Sequence, residues 1–122
     1  MLIVYDSLTG QTKRFASNLG FPSVHIKLYE YTHDEPILLV TRSINFGDIP
    51  ETTKTFLDQY HNLVVGVAVS GNKNWGENFG KAGEKIEALY QIPLIVKFEG
   101  SGIISDRLLV KDWLIKKIGK EE

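Results

Sequence analysis

Four short runs of branched apolar residues constrain this chain more than any other feature. They are Leu2-Ile3-Val4-Tyr5, Ile37-Leu38-Leu39-Val40, Leu63 to Val69, and Leu94-Ile95-Val96. Near-continuous apolar character over so few residues marks parallel strands covered by helices on both faces. A fifth run, Val24-His25-Ile26-Lys27-Leu28, alternates apolar and polar residues. Alternation implies one wet face, so this run is predicted to be an edge strand. Between the runs, apolar residues recur at helical spacing. Thr12, Phe15, Ala16 and Leu19 precede Gly20, a stop signal; Phe56, Leu57 and Tyr60 follow Pro50, which suits a first helical turn. Phe79, Ala82, Ile86 and Leu89 form a third stripe, and Val110, Leu114 and Ile118 a fourth, in a helix starting near Asp106.

The predicted order is β-α-β-β-α-β-α-β-α. The crossovers are long enough for parallel connections, which are right-handed in nearly all proteins. With the second strand at the edge beside the first, the strand order is 2-1-3-4-5, a doubly wound parallel sheet in a three-layer α/β/α sandwich. A chain of 122 residues suits one compact domain spanning 1–122, and no repeat, linker or low-complexity segment divides it.

Composition removes several functions. The chain has no Cys, which excludes disulfides, thiolate metal sites and Cys nucleophiles and suits a reducing compartment. The first residues lack a basic segment followed by a long apolar run, so no signal peptide or targeting arm is expected and the expected location is cytoplasmic. No apolar stretch approaches the ~20 residues that span a membrane. With 14 basic and 15 acidic residues and a net charge of -1, the chain lacks the basic excess of a nucleic-acid binder. Lys111, Lys116, Lys117 and Lys120 are interrupted by Asp112, Glu121 and Glu122 and read as a solvated helix face.

Ligands of such sheets bind beyond the carboxyl ends of the strands. Three segments fall there: Asp6 to Thr12, Thr41 to Pro50, and Ser70 to Phe79. The first reads Ser7-Leu8-Thr9-Gly10-Gln11-Thr12 and leads straight into a helix. Three hydroxyls, a Gly for a tight turn and the free N–H groups of a new helix are the chemistry of a phosphate site. Lys13 and Arg14 come only after the loop, so the phosphate would be held by neutral donors, as suits a cofactor that stays bound. The loop is neither a dinucleotide Gly-x-Gly-x-x-Gly nor a P-loop. An ordinary turn, with Ser7 or Thr12 capping the helix, has the same composition.

The other two segments bring Phe46, Trp75 and Phe79 together with Thr41, Asn45, Gly47, Ser70, Gly71, Asn72, Asn74 and Gly76. Aromatic walls with a few amides that read an edge suit a planar heteroaromatic ring. Phe79 also belongs to a helical stripe and can equally be core. Trp75 belongs to no stripe, which favours a ligand or partner role. His25, His33 and His61 lie away from these loops and read as surface residues. No spacing suggests a catalytic triad or a metal-ligand cluster. A response-regulator receiver domain has the same strand order but needs an Asp at the end of the third strand, where Thr41 stands, and paired acids after the first, where only Asp6 is available.

The phosphate loop resembles the Thr/Ser-x-Thr-Gly-Asn-Thr loop of flavodoxins, with Gln11 where Asn is usual. Ser70-Gly71-Asn72-Lys73-Asn74-Trp75-Gly76-Glu77-Asn78-Phe79 resembles the signature of the NrdI family, the flavodoxin-like partners of class Ib ribonucleotide reductases. Thr41 to Pro50 and Lys97-Phe98-Glu99 are similar to that family as well. The resemblance implies a flavodoxin-like fold and FMN as cofactor, bound by the three segments. It implies a reduced flavin that converts O2 to superoxide, and a dimanganese small subunit whose tyrosyl radical this oxidant helps to generate. It implies an unidentified flavin reductant, no nucleic acid, no membrane, and any metal on the partner. Gly47 is then the position whose peptide would reorient beside the reacting ring nitrogen, and Asn74, Trp75 and Gly76 would meet the partner. A generic electron-transfer flavodoxin is the alternative reading, and a non-redox module for a phosphate-bearing ligand a further one.

Charge bears on that choice. One unit charge ~10 Å from the ring is worth roughly 1.7 kcal/mol at an effective dielectric of 20, or on the order of 70 mV for a one-electron couple. The two flavin loops carry Arg42 with Asp48 and Lys73 with Glu77. This balance predicts a fully reduced flavin that is penalised less than one ringed by acids.

Overall fold

Parallel pairing organises the molecule. The computed structural model describes residues 1–31 and 33–121, the last two of these by backbone alone, so the side chains of Lys120, Glu121 and Glu122 in the terminal charge pattern lie outside the described set. Strands β1 (Leu2–Tyr5), β2 (Ser23–His25), β3 (Ile37–Thr41), β4 (Val64–Gly71) and β5 (Leu94–Glu99) form one sheet in the order β2-β1-β3-β4-β5. All pairs are parallel, with Leu2 beside Ile37 and Tyr5 beside both His25 and Val40. Helices α1 (Gln11–Ser17), α2 (Glu51–Tyr60) and α3 (Lys81–Tyr90) lie in the crossovers from β1 to β2, β3 to β4 and β4 to β5, and α4 (Ile104–Glu121) follows β5.

The period-2 geometry of strands divides the core in two. On one face Ile3, Tyr5, Leu38 and Val40 pack with Phe15 and Leu19 of the α1 region and Val110 and Leu114 of α4. On the other, Val4, Ile37 and Leu39 pack with Phe56 and Leu57 of α2 and Ile86 of α3. Phe15 stacks on Phe98 with ring centroids 3.9 Å apart, joining α1 to the end of β5.

Three expectations are corrected. The alternating run does form the edge strand, but the strand stops at His25 and Ile26–Leu28 make a 3-10 turn. The His25 side chain accepts the Lys27 N–H, which closes the turn, and Leu28 ends up 71% exposed. The third helix starts after Gly80, so Phe79 lies before it. Gly83 packs against Val69 and Leu94, which rotates the buried stripe toward Ala82, Gly83 and Ile86 and leaves Leu89 exposed. The run Leu94-Ile95-Val96 is only partly buried, because β5 is the sheet's other edge.

Candidate functional site

Strand alignment places the loops after β1, β3, β4 and β5 around one cleft of about 400 Å³, within the size range of small-molecule sites. Ser7, Leu8, Thr9, Gln11 and Thr12 line it from the first loop. Gly10 turns this loop into α1 with φ +91°, a left-handed value natural to glycine. Ser7 Oγ accepts the Gly10 N–H at 3.0 Å, and buried Thr12 donates its hydroxyl to the Asp6 carbonyl at 2.6 Å. Neither Ser7 nor Thr12 caps α1; the N-cap is Gly10. Thr9 and Gln11 remain exposed.

The second loop is anchored by Asp6. This carboxylate is 2% exposed and accepts from Arg42 Nε at 3.2 Å, from Thr53 Oγ1 at 2.7 Å and from Thr52 Oγ1. The anchored Arg42 then lines the cleft with Ser43 and Ile44. Ser43 donates to the Ser70 carbonyl at 2.9 Å, tying this loop to the end of β4. Beyond it, Gly47 N–H donates to the Ile44 carbonyl at 2.9 Å across a tight turn, with Asn45 at φ 46° and Phe46 at φ 61°. Left-handed values at both central positions make this a turn of type I′. Gly47 follows at φ +121°, and a Cβ on it would lie 2.6 Å from Lys81 Cβ.

In the third loop Asn72 organises the chain locally. Its Oδ1 accepts the Asn74 N–H at 2.8 Å and its carbonyl accepts the Trp75 N–H at 3.0 Å. Glu99 accepts the Lys73 N–H at 2.9 Å, which brings the end of β5 against this loop. Trp75 lines the cleft and meets Phe46, which lies outside the lining, edge-to-face at 5.7 Å, so aromatic rings from two loops adjoin at this side.

The cleft brings together Ser7, Thr9, Gln11, Thr12, Ser70, Gly71, Asn72 and Trp75 of the predicted residues. Gly10 shapes the first loop, and Phe46, 67% exposed, reaches the wall through Trp75. Asn45, Asn74 and Gly76 are exposed on the surrounding loops. Thr41 is buried beneath the cleft, its hydroxyl 2.7 Å from that of Thr53. Gly47 is buried against α3, and half-buried Phe79 lies against Gly71. Sequence reasoning did not single out Leu8, Ser43, Ile44 and Gly100, treated Arg42 only as a charge, and named Glu99 only within a stretch resembling the family. Four of these lie inside the named loops; the signal for Glu99 and Gly100 was that β5 ends on the same side.

His25 also departs from expectation. It is half-buried, with Nε2 3.0 Å from the Ser7 carbonyl. His33 and His61 are exposed. Two charges near the cleft are paired, Arg42 with Asp6 and Asp48 with Lys85 at 2.7 Å, while the Glu99 carboxylate takes the Lys73 backbone N–H. Beside α3, the Lys97 ammonium bonded to Glu84 holds that carboxyl below its ordinary range. Among the described residues no group of three or more His, Asp or Glu is placed to hold a metal ion, and no helix is long and apolar enough to cross a membrane.

One end of the cleft therefore offers hydroxyl, amide and backbone donors, and the other an aromatic wall. That donor set fits a planar aromatic ligand carrying a phosphate.

Residues 3–112 match the family model described as NrdI Flavodoxin like. Protein NrdI of Bacillus licheniformis is 44% identical over 104 residues, covering 85% of this chain and 79% of that protein. A short-chain flavodoxin associated with a bacterial microcompartment superposes with a TM-score of 0.76 at 19% identity, over 99% of this chain and 97% of that one. A flavodoxin of Fusobacterium nucleatum bound to flavin mononucleotide does so with a TM-score of 0.68 at 16% identity, over 98% and 96%. The two structural likenesses bear on the fold.

Proposed function

The chain belongs to the NrdI flavodoxin-like family, which binds FMN and is linked to ribonucleotide reductase, and we propose that it activates the dimanganese small subunit of a class Ib enzyme in the cytoplasm. FMN, when bound, supplies single electrons that reduce O2 to superoxide, the oxidant used by the partner's dimanganese site in forming its tyrosyl radical. The observation that carries this reading is the meeting of the Ser7–Thr12 loop and Trp75 in one cleft.

The chain's residues have distinct tasks. Backbone N–H groups of the first loop, with Thr9 and Gln11, bind the phosphate. Ser7 shapes that loop through Gly10, and Thr12 fastens it to Asp6. Trp75 and Phe46 cover the ring, and Asn72 holds Trp75 in place through its carbonyl. The charged residues lining the cleft are Arg42 and Glu99, one of each sign. Arg42 is already paired with Asp6, so among the described residues Glu99 is the carboxylate of the lining left without an ion-pair partner, and at ~10 Å it would add roughly 1.7 kcal/mol to the cost of the reduced flavin, less than a ring of several acids would. Leu8 and Phe46, 77% and 67% exposed, flank the cleft and suit a docking surface across which a short-lived oxidant crosses little solvent.

The test is to load the protein with FMN, reduce it anaerobically, admit air, and assay superoxide and tyrosyl radical with and without a class Ib small subunit. Radical formation that depends on both proteins is expected. Flavin binding without any effect on the partner would leave a generic electron-transfer flavodoxin with another redox partner.

A further inference from the structure

We infer that His25 is a positioning residue for phosphate recognition, its imidazole fixing the peptide that aims the Leu8 N–H into the cleft. The inference rests on the phosphate-binding reading of the first loop.

Both ring nitrogens are committed, and together they define one tautomer. Lys27 N–H donates to Nδ1 at 3.1 Å, so Nδ1 carries the lone pair. Nε2 lies 3.0 Å from the Ser7 carbonyl oxygen, which can only accept, so Nε2 carries the proton. The ring stands edge-to-face on Tyr5 with centroids 5.4 Å apart. The parallel register pairs Tyr5 with His25, which brings the end of the edge strand beside the chain as it leaves β1.

The consequence follows from peptide geometry. Among the described residues no peptide bond is cis, so the Leu8 N–H points opposite to the Ser7 carbonyl in the same plane. That carbonyl faces His25 on β2, the outermost strand on this side of the sheet. The Leu8 N–H therefore faces away from β2. The cleft lies on that side: Ser7 and Leu8 line it together with the loops after β3, β4 and β5, and no β2 residue contributes. Without the imidazole, the Ser7–Leu8 peptide is free to rotate and its N–H loses its aim.

The test compares two flavins that differ by the phosphate. Affinities of the apo protein for FMN and riboflavin are read from quenching of flavin fluorescence, for the wild type, His25→Ala, His25→Phe and His25→Gln. The phenyl ring keeps the packing on Tyr5 without a nitrogen, and the Gln amide can reach where Nε2 donates. Wild type should prefer FMN. His25→Ala and His25→Phe should lose about tenfold for FMN, the effect of one hydrogen bond to a charged group, with riboflavin unchanged, and His25→Gln should restore most of the loss. An equal fall for both flavins, or no fall for either, overturns the inference and leaves the phosphate reading in place. A wild type that binds both flavins alike removes the phosphate reading and the inference with it.

Discussion

Replacing Asp6 by alanine removes a carboxylate that is 2% exposed and serves as acceptor for three side chains from two other elements. Hydrogen bonds to a charged group contribute about 1.5–3 kcal/mol each, and breaking a buried pair costs about 3–5 kcal/mol because the partner is left uncompensated. Two features move the estimate to the lower end. The Arg42 side chain is 26% exposed and can recover water, and the Thr53 hydroxyl retains Thr41 as a partner at 2.7 Å. A loss of about 3 kcal/mol is expected. For a chain of 122 residues the unfolding entropy is about 0.26 kcal/mol per kelvin, so Tm should fall by about 12 °C. Asp6→Asn, which keeps the shape but not the ion pair, should lose about half as much. Urea denaturation of the apo protein measures the first quantity and thermal melting the second. A double-mutant cycle with Arg42→Ala separates the pair from the hydroxyl contacts, since Asp6→Ala should cost less by about 1 kcal/mol or more once Arg42 is gone. An Asp6→Ala protein within about 0.5 kcal/mol of wild type, the range of ordinary surface substitutions, would refute the claim that this carboxylate joins β1 to the β3 loop and α2.

Trp75→Ala should weaken FMN binding by about tenfold or more, since a stacked aromatic partner is worth about 0.5–1.5 kcal/mol beyond its buried area; flavin fluorescence titration reads it, and an unchanged affinity would remove Trp75 from the ring site. Gly47→Ala should destabilise by about 1–3 kcal/mol, because the new Cβ would meet Lys81 Cβ at 2.6 Å at a φ of +121°; urea denaturation decides, and a neutral outcome would mean that the loop does not need this close approach. The Tyr90 phenol, pushed up to about 12 by burial and by its hydrogen bond to Asp58, has a folded-state value above its ordinary one. Its contribution is therefore complete below the ordinary tyrosine range and is lost as pH rises toward about 12, so the stability gap between wild type and Tyr90→Phe should shrink across that window; a gap that is constant in pH would refute the assignment.

What was legible in the sequence was what is encoded locally. The strands of the doubly wound sheet were legible in the short apolar runs and in the alternation that begins at Val24, although the run Leu94 to Val96 overstated how far its edge strand is covered. Gly10 and the loop that it turns were legible as well: a strand running into Ser, Thr and Gly and then a helix leaves little freedom. Features made by contact between distant segments were not. Arg42 reads as a balancing charge until Asp6, one strand away, is seen to hold it at the cleft wall. Glu99 reads as the last residue of a strand until the Lys73 N–H closes on it. The third helical stripe was misplaced because Gly83, which carries no hydrophobic signal, packs on Val69 and Leu94 through its lack of a side chain.

His25 shows most clearly how a correct local reading can mislead about function. Its alternation places it on an edge strand, which is right, and a polar residue there is ordinarily solvated. The parallel register with Tyr5 changes its surroundings, because the end of β2 then lies beside the start of the first loop. A residue on the outer strand thus contacts the backbone of the inner strand's first loop, which lines the cleft, while its own strand contributes nothing to that lining. In this sheet, the register that sets the carboxyl end of the second strand beside the start of the first loop puts His25 in position to do this. The pattern to seek in related sequences is therefore a polar residue at the last position of the edge strand, followed two residues later by a backbone N–H that can fix its orientation.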